Sequence, residues 1–129
     1  MSRGLADTSL FVARETGRRI DVTALPTELA VSVITIGELR AGVLASTEVE
    51  VRDRRLATLE AALLLDAMPV NHDAAQAWAR LRVLLRNAGK RMPVNDSWIA
   101  ATAMSIGVPV VTQDADYDVD LPDLAVIRV

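Results

Sequence analysis

Cysteine is absent from this chain, so disulfides, thiolate metal sites and cysteine nucleophiles are excluded. Aromatic residues make up only 3%, which leaves little material for stacking nucleic-acid bases. Lysine occurs once, at Lys90, so no lysine cluster can neutralise a group of acids. Histidine also occurs once, and His72 reads as a helix-cap or surface residue with no catalytic assignment. Positive charge is not in excess. The formal net charge is -3, so attraction of a nucleic acid must come from a local basic patch rather than a bulk field. Long apolar runs are missing too. The longest stretch without a charged side chain, Ser97 to Gln113, contains Gly107 and Pro109 and falls short of the roughly 20 residues a membrane span needs. Arg3 and Asp7 interrupt the start before any apolar stretch builds up, so no signal peptide is expected and the protein is expected to act in the cytoplasm.

What remains is a chain of 129 residues, 51% hydrophobic and 24% charged, suited to one compact domain spanning 1–129. Strand-like and helix-like pieces alternate. Leu5-Ala6 is a short apolar entry ending at Asp7. Ser9 to Thr16 reads as a short helix capped by Thr8 or Ser9. The β-branched run Leu29 to Val33 reads as a strand that passes into helical spacing from Thr35 to Leu44. Glu48 to Leu65 is a further helix, and Ala67 to Val70 a short strand. From Asp73 to Ala88 the apolar residues Ala74, Ala77, Trp78, Leu81, Leu84, Leu85 and Ala88 share one helical face, and Gly89 closes the helix. Asn95, Asp96 and Ser97 can each cap a helix over Ser97 to Ile106 that ends at Gly107. Pro109 to Thr112 and Leu124 to Val129 are the last strands. This alternation predicts an α/β layer fold with a mostly parallel sheet, which binds ligands beyond the carboxyl ends of its strands.

Four acids stand at the punctuation points. Asp7 follows the first strand, Glu38 lies in the first turns of the helix after Val31 to Val33, Asp96 opens a helix after Pro93, and Asp114 follows the strand ending at Thr112. Singly, Asp7 and Asp114 read as turn formers and Asp96 as a helix cap. Glu38 is different: its neighbours Ile34, Ile36 and Leu39 make a carboxylate costly unless it is paired. Gly42, four residues on, would leave space beside it. In a parallel sheet these sites share an edge, so the four side chains can converge. Carboxylates gathered within a few ångströms require a cation. Oxygen-only ligands favour Mg²⁺ or Mn²⁺, and the chemistry implied is metal-assisted phosphodiester hydrolysis.

Four blocks in order resemble one known family. They are Leu5-Ala6-Asp7-Thr8-Ser9, Ser32 to Gly42 around Glu38, Gly89 to Ala103 around Asp96, and Val110 to Asp118 around Asp114. Over essentially the whole chain the pattern is similar to the PIN-domain ribonucleases, most closely the VapC-type toxins of bacterial VapBC toxin–antitoxin pairs. The resemblance implies a PIN-like three-layer α/β/α sandwich and Mg²⁺- or Mn²⁺-dependent endoribonuclease activity, in relatives usually on transfer or ribosomal RNA. It implies a VapB-type antitoxin as partner, with its tail in the active-site groove, and a homodimer. It assigns Asp7, Glu38, Asp96 and Asp114 to the acidic site, with Asp116 and Asp118 as alternatives for the fourth acid, and Thr8 and Thr112 to orienting positions. Gln113 departs from the pattern, because many relatives carry a basic residue there.

RNA also needs cations on the protein. Arg80, Arg82, Arg86, Lys90 and Arg91 form a run without an acid, either a solvated helix face or a set of phosphate contacts. Arg14, Arg18 and Arg19 form a second group, while Arg52, Arg54 and Arg55 sit among acids and are expected to pair with them. Trp78 reads as core, and Trp98 as a candidate for the rim of the groove. Two other readings compete. A receiver-type phosphoacceptor domain also gathers acids at strand ends but needs paired early acids and a late lysine. A non-catalytic PIN-like interaction module would carry the same fold with a dead site.

Overall fold

The computed structural model describes residues 2–129. Strand β1 (Arg3–Ala6) leads into helix α1 (Thr8–Glu15), β2 (Glu28–Ser32) into α2 (Val33–Ala45) and then α3 (Val49–Leu63), and β3 (Asp66–Met68) into α4 (His72–Asn87) and α5 (Val94–Ile106). Strands β4 (Val110–Thr112) and β5 (Val126–Arg128) complete the chain, with one-turn 3-10 helices at Val22–Ala24 and Ala115–Tyr117. The strands form one parallel sheet in the order β3-β2-β1-β4-β5. The chain therefore builds outward from β1 through β2 to β3, then crosses back to place β4 on the other side of β1. The crevice beyond β1 and β4 is where the strand order reverses, the place in such sheets where ligands bind.

Strand alternation sorts the core into two layers. Leu5, Ala30 and Val110 point to one face and pack with Leu81 and Leu85 of α4 and Ile99, Ala100 and Ala103 of α5. Their neighbours Ala6, Val31 and Val111 point to the other face and pack with Leu10 and Phe11 of α1, Leu39 of α2, and Leu59 and Ala62 of α3. The result is the expected three-layer α/β/α sandwich. Gly4 is required where β1 meets its neighbours: a Cβ there would lie 2.7 Å from Val111 Cγ2 and 2.9 Å from Pro26 Cγ.

All five helix starts differ from expectation by one to three residues, α2 beginning at Val33 rather than Thr35, α3 at Val49 rather than Glu48 and α4 at His72 rather than Asp73. α1 begins at Thr8 with Asp7, not Thr8 or Ser9, as its cap, the Asp7 carboxylate accepting from the Ser9 amide. α5 begins at Val94, three residues before the expected Ser97, with Pro93 at the cap position. Proline needs no donor and tolerates the extended φ/ψ of a cap, so the helix starts there and Asp96 falls inside its first turn. Gly107 takes the left-handed conformation, φ 69, that ends α5.

Candidate metal-binding active site

The four acids predicted to converge all line one open cleft of about 380 Å³: Asp7, Glu38, Asp96 and Asp114, together with Thr8, Ser9, Arg18 and Gln113. Each arrives on a different element. Asp7 caps α1 at the end of β1, Glu38 projects from the second turn of α2, Asp96 from the first turn of α5, and Asp114 caps the 3-10 turn after β4.

Asp7 is 1% exposed, and a carboxylate that deep is costly without partners. It has three. The Thr112 hydroxyl donates to Oδ2 at 2.9 Å, the Ser9 amide donates to the same oxygen at 3.2 Å, and the Tyr117 hydroxyl donates to Oδ1 at 2.8 Å. Burial, then the Asp7 carboxylate, pushes the Tyr117 phenol far up, so it stays protonated and remains a donor. Thr112 is an orienting residue that the resemblance implies, whereas Tyr117, 110 residues from its partner in the chain, has no signal in the sequence.

A second set of hydroxyls ties the strand ends together. Thr112 Oγ1 accepts from the Asp114 amide at 2.8 Å and lies 3.1 Å from Ser9 Oγ, which accepts from the Gln113 amide at 2.9 Å. Thr112 thus links Asp7 of one strand end to Asp114 of the next. Thr8 donates to Glu38 Oε1 at 2.8 Å and lies 2.9 Å from the buried Thr35 hydroxyl. Glu38 gains its partner from Thr8. The space beside Gly42, expected to serve Glu38, is taken by Arg55, whose Nη1 donates to the Gly42 carbonyl at 2.8 Å. The pairing expected for the neighbouring arginines is likewise mostly to backbone: Arg52 donates to the Ser46 carbonyl, and only Arg54 meets an acid, Glu15, at 4.0 Å.

The closing block resolves into separate duties. Asp114 and Asp116 each bring a carboxylate oxygen within 4.8 Å of the others and of Asp96. Asp118 is turned away into an ion pair with Arg128 at 2.6 Å. Gln113, where the resemblance expects a basic residue, donates from Nε2 to the Arg19 carbonyl at 2.7 Å and to the Val129 carbonyl at 3.1 Å. That tie fastens the segment carrying Arg18, which lines the cleft from α1's C-terminal side.

Asp96 reports the electrostatic state of the pocket. Partial burial raises its pKa from 3.8 to about 7, and the charges of Asp7, Asp114, Asp116 and Glu38 push in the same direction. A cation among these oxygens reverses that penalty. The donor set is all carboxylate oxygen, and separations up to 4.8 Å are close to the roughly 4 Å between opposite ligands of an ion with ~2.1 Å bonds. The residues present therefore fit a small hard divalent ion.

The chain is similar to known proteins in sequence and in fold. A family model for the PIN domain matches residues 5–120. The chain is 48% identical over 114 residues to Ribonuclease VapC5 of Mycobacterium tuberculosis, an alignment covering 88% of this chain and 84% of the relative. It is 43% identical over 127 residues to Ribonuclease VapC4 of the same organism, covering 98% and 97% of the two chains. Among solved structures, VapBC-5 from M. tuberculosis, a member of the VapBC family of toxin–antitoxin systems, superposes with a TM-score of 0.92 at 43% identity over 100% of both chains. A likeness of fold alone extends to VapBC2 from Rickettsia felis, with a TM-score of 0.81 at 20% identity over 98% of both chains. From the four ordered acidic blocks, the sheet topology and these similarities, the chain belongs to the PIN domain family, among its VapC-type members.

Proposed function

We propose that this protein is a metal-dependent endoribonuclease, the toxin of a type II toxin–antitoxin pair, and that residues 1–129 act as one catalytic unit in the cytoplasm. The observation that carries the reading is a single cleft lined by Asp7, Glu38, Asp96 and Asp114 from four separate elements. The ribonuclease names of its relatives support the reaction class. A toxin–antitoxin structure as neighbour supports a VapB-type antitoxin as the inhibiting partner. The family resemblance supports a homodimer.

Asp7, Asp96 and Asp114 are the residues to hold Mg²⁺ or Mn²⁺, directly or through water, with Asp116 as the alternative fourth acid. The bound ion would neutralise phosphate charge and make a nearby water more acidic. The chain's own groups do the rest. Three donors hold Asp7 in one orientation, so its position does not have to be found when substrate arrives. Glu38, aligned by Thr8, is placed to accept a proton from the attacking water or to hold a second ion. Arg18 offers a guanidinium to a phosphate oxygen in the same cleft. Thr112 keeps Asp7 and Asp114 in register across the crevice.

The test is cleavage of total transfer and ribosomal RNA in Mn²⁺ by the wild type and by Asp96→Asn. The wild type should cut and the variant should not, with its melting curve intact. Cleavage retained by Asp96→Asn would reject the assignment.

A further inference from the structure

A second concave site lies outside the acidic cleft and shares no lining residue with it. It is a pocket of about 390 Å³ lined by Arg82 and Arg86 of α4 and by Lys90, Arg91 and Met92 of the turn into α5. Four cations and no acid line it, in a chain whose formal net charge is -3. Among the described residues, none of the four has an acidic partner within ion-pair distance, whereas Arg80 on the same helix is paired with Asp123 at 2.9 Å. Arg82 and Arg86 stand four apart on one helix, a spacing at which like charges oppose helix formation. The negative end of the α4 dipole accounts for a cation at Arg86. It does not account for Arg82 a turn earlier, nor for Arg91 beyond the turn.

The pocket is also built rather than loose. The Arg82 guanidinium lies 5.2 Å over the Trp78 ring, and Trp78 stacks on Trp98 with centroids 4.4 Å apart and planes at 4°. The Trp78 Nε1–H donates to Ser97 Oγ at 3.0 Å. With one face covered by indole, the guanidinium keeps its edge N–H donors for an anion. The stack ends on Trp98, two residues from Asp96 on α5, so the cation is held in fixed relation to the acidic cleft. On the other side Lys90 Nζ donates to the Val119 carbonyl, two residues beyond Tyr117, which holds Asp7.

We propose that this pocket is a phosphate-binding subsite that grips the RNA backbone beside the scissile position. The proposal rests on the nuclease reading for its choice of ligand. A polyanion drawn into an acidic cleft needs a cationic hold outside it, and phosphate contacts position a nucleic acid without reading its sequence.

The experiment is fluorescence anisotropy of a labelled RNA stem-loop across a sodium chloride series, in EDTA so that cleavage is arrested. The variants are Arg82→Gln/Arg86→Gln and, separately, Arg91→Gln, with Arg3→Gln at the far end of β1 as a control for bulk charge. The double variant should bind about tenfold more weakly at low salt, with the salt slope reduced by roughly 1.4 for two lost single-strand contacts. Arg91→Gln should show about half that change in slope, and Arg3→Gln almost none. Wild-type affinity and slope in the double variant, or no RNA binding by the wild type, would overturn the proposal. So would loss of binding to a purified antitoxin with RNA binding unchanged, which would make the pocket a protein dock. Calorimetric binding of inorganic phosphate that the double variant abolishes, with RNA affinity unmoved, would make it a free-anion site and also overturn it. Failure of the wild type to cut RNA in Mn²⁺, with RNA binding still dependent on the arginines, would remove the nuclease reading and leave the subsite standing.

Discussion

Replacing Tyr117 by Phe removes one oxygen atom and tests how Asp7 is held. The ring stays, packed in the core layer with Leu5, Ile99 and Val110, so no cavity larger than a hydroxyl is left. What is lost is a 2.8 Å hydrogen bond to a carboxylate, with both residues 1% exposed. Hydrogen bonds to charged groups contribute about 1.5–3 kcal/mol, and here no water replaces the lost donor. Thr112 and the Ser9 amide still serve the other oxygen, which keeps the loss toward the lower part of that range. About 2 kcal/mol corresponds to a melting temperature lower by about 8 °C for a domain of this size. Metal affinity should fall as well, because a ligand whose outer hydrogen-bond partner is removed typically loses about 10–100-fold. Differential scanning calorimetry and Mn²⁺ titration by isothermal calorimetry read the two effects on the same protein. An unchanged melting temperature with unchanged Mn²⁺ affinity would refute the reasoning. Tighter Mn²⁺ binding would refute it too, by showing that the phenol competes with the ion for Oδ1.

Three further outcomes follow from the same geometry. In EDTA, the Asp96 pKa of about 7 lies above its ordinary 3.8, so the folded state holds that proton more tightly. Stability from this group is therefore present at low pH and is lost as pH rises through about 7, and Asp96→Asn should flatten that part of a melting-temperature profile. Adding Mn²⁺ at neutral pH should raise the melting temperature of the wild type, by the equivalent of about 2.7 kcal/mol at 100 times its Kd, and not that of Asp96→Asn. Gly4→Ala places a methyl 2.7 Å from Val111 Cγ2 and 2.9 Å from Pro26 Cγ, and should destabilise by about 1–3 kcal/mol in urea denaturation.

The strand β4 (Val110–Thr112) was legible as a β-branched run and α4 by its apolar face, whereas central β1 (Arg3–Ala6), with no β-branched residue, was legible only as a short apolar entry ended by Asp7. The edge that gathers the acids followed from parallel topology alone, since Asp7, Glu38, Asp96 and Asp114 each stand at a strand end or a helix start. What the sequence concealed is where several polar residues compete for one local duty. Asp7, Thr8 and Ser9 can all cap a helix, and the choice of Asp7 depends on Thr112 and Tyr117 holding its carboxylate in place. Asp114, Asp116 and Asp118 look alike in sequence. Arg128, arriving on β5, removes Asp118 from the set. The Trp78–Trp98 stack joins two helices through a contact that no local period predicts. Trp78, read as core, is in fact half-buried and shared between the stack and Arg82.

The central claim is that carboxylates from distant stretches share one cation. Crystals soaked in Mn²⁺, with diffraction collected above the manganese absorption edge, test it most directly. An anomalous peak should appear between Asp96 and Asp114, within about 2.2 Å of carboxylate oxygens, and should vanish in Asp96→Asn. A saturated crystal with no peak in that cleft, or with manganese only elsewhere on the surface, would contradict the account.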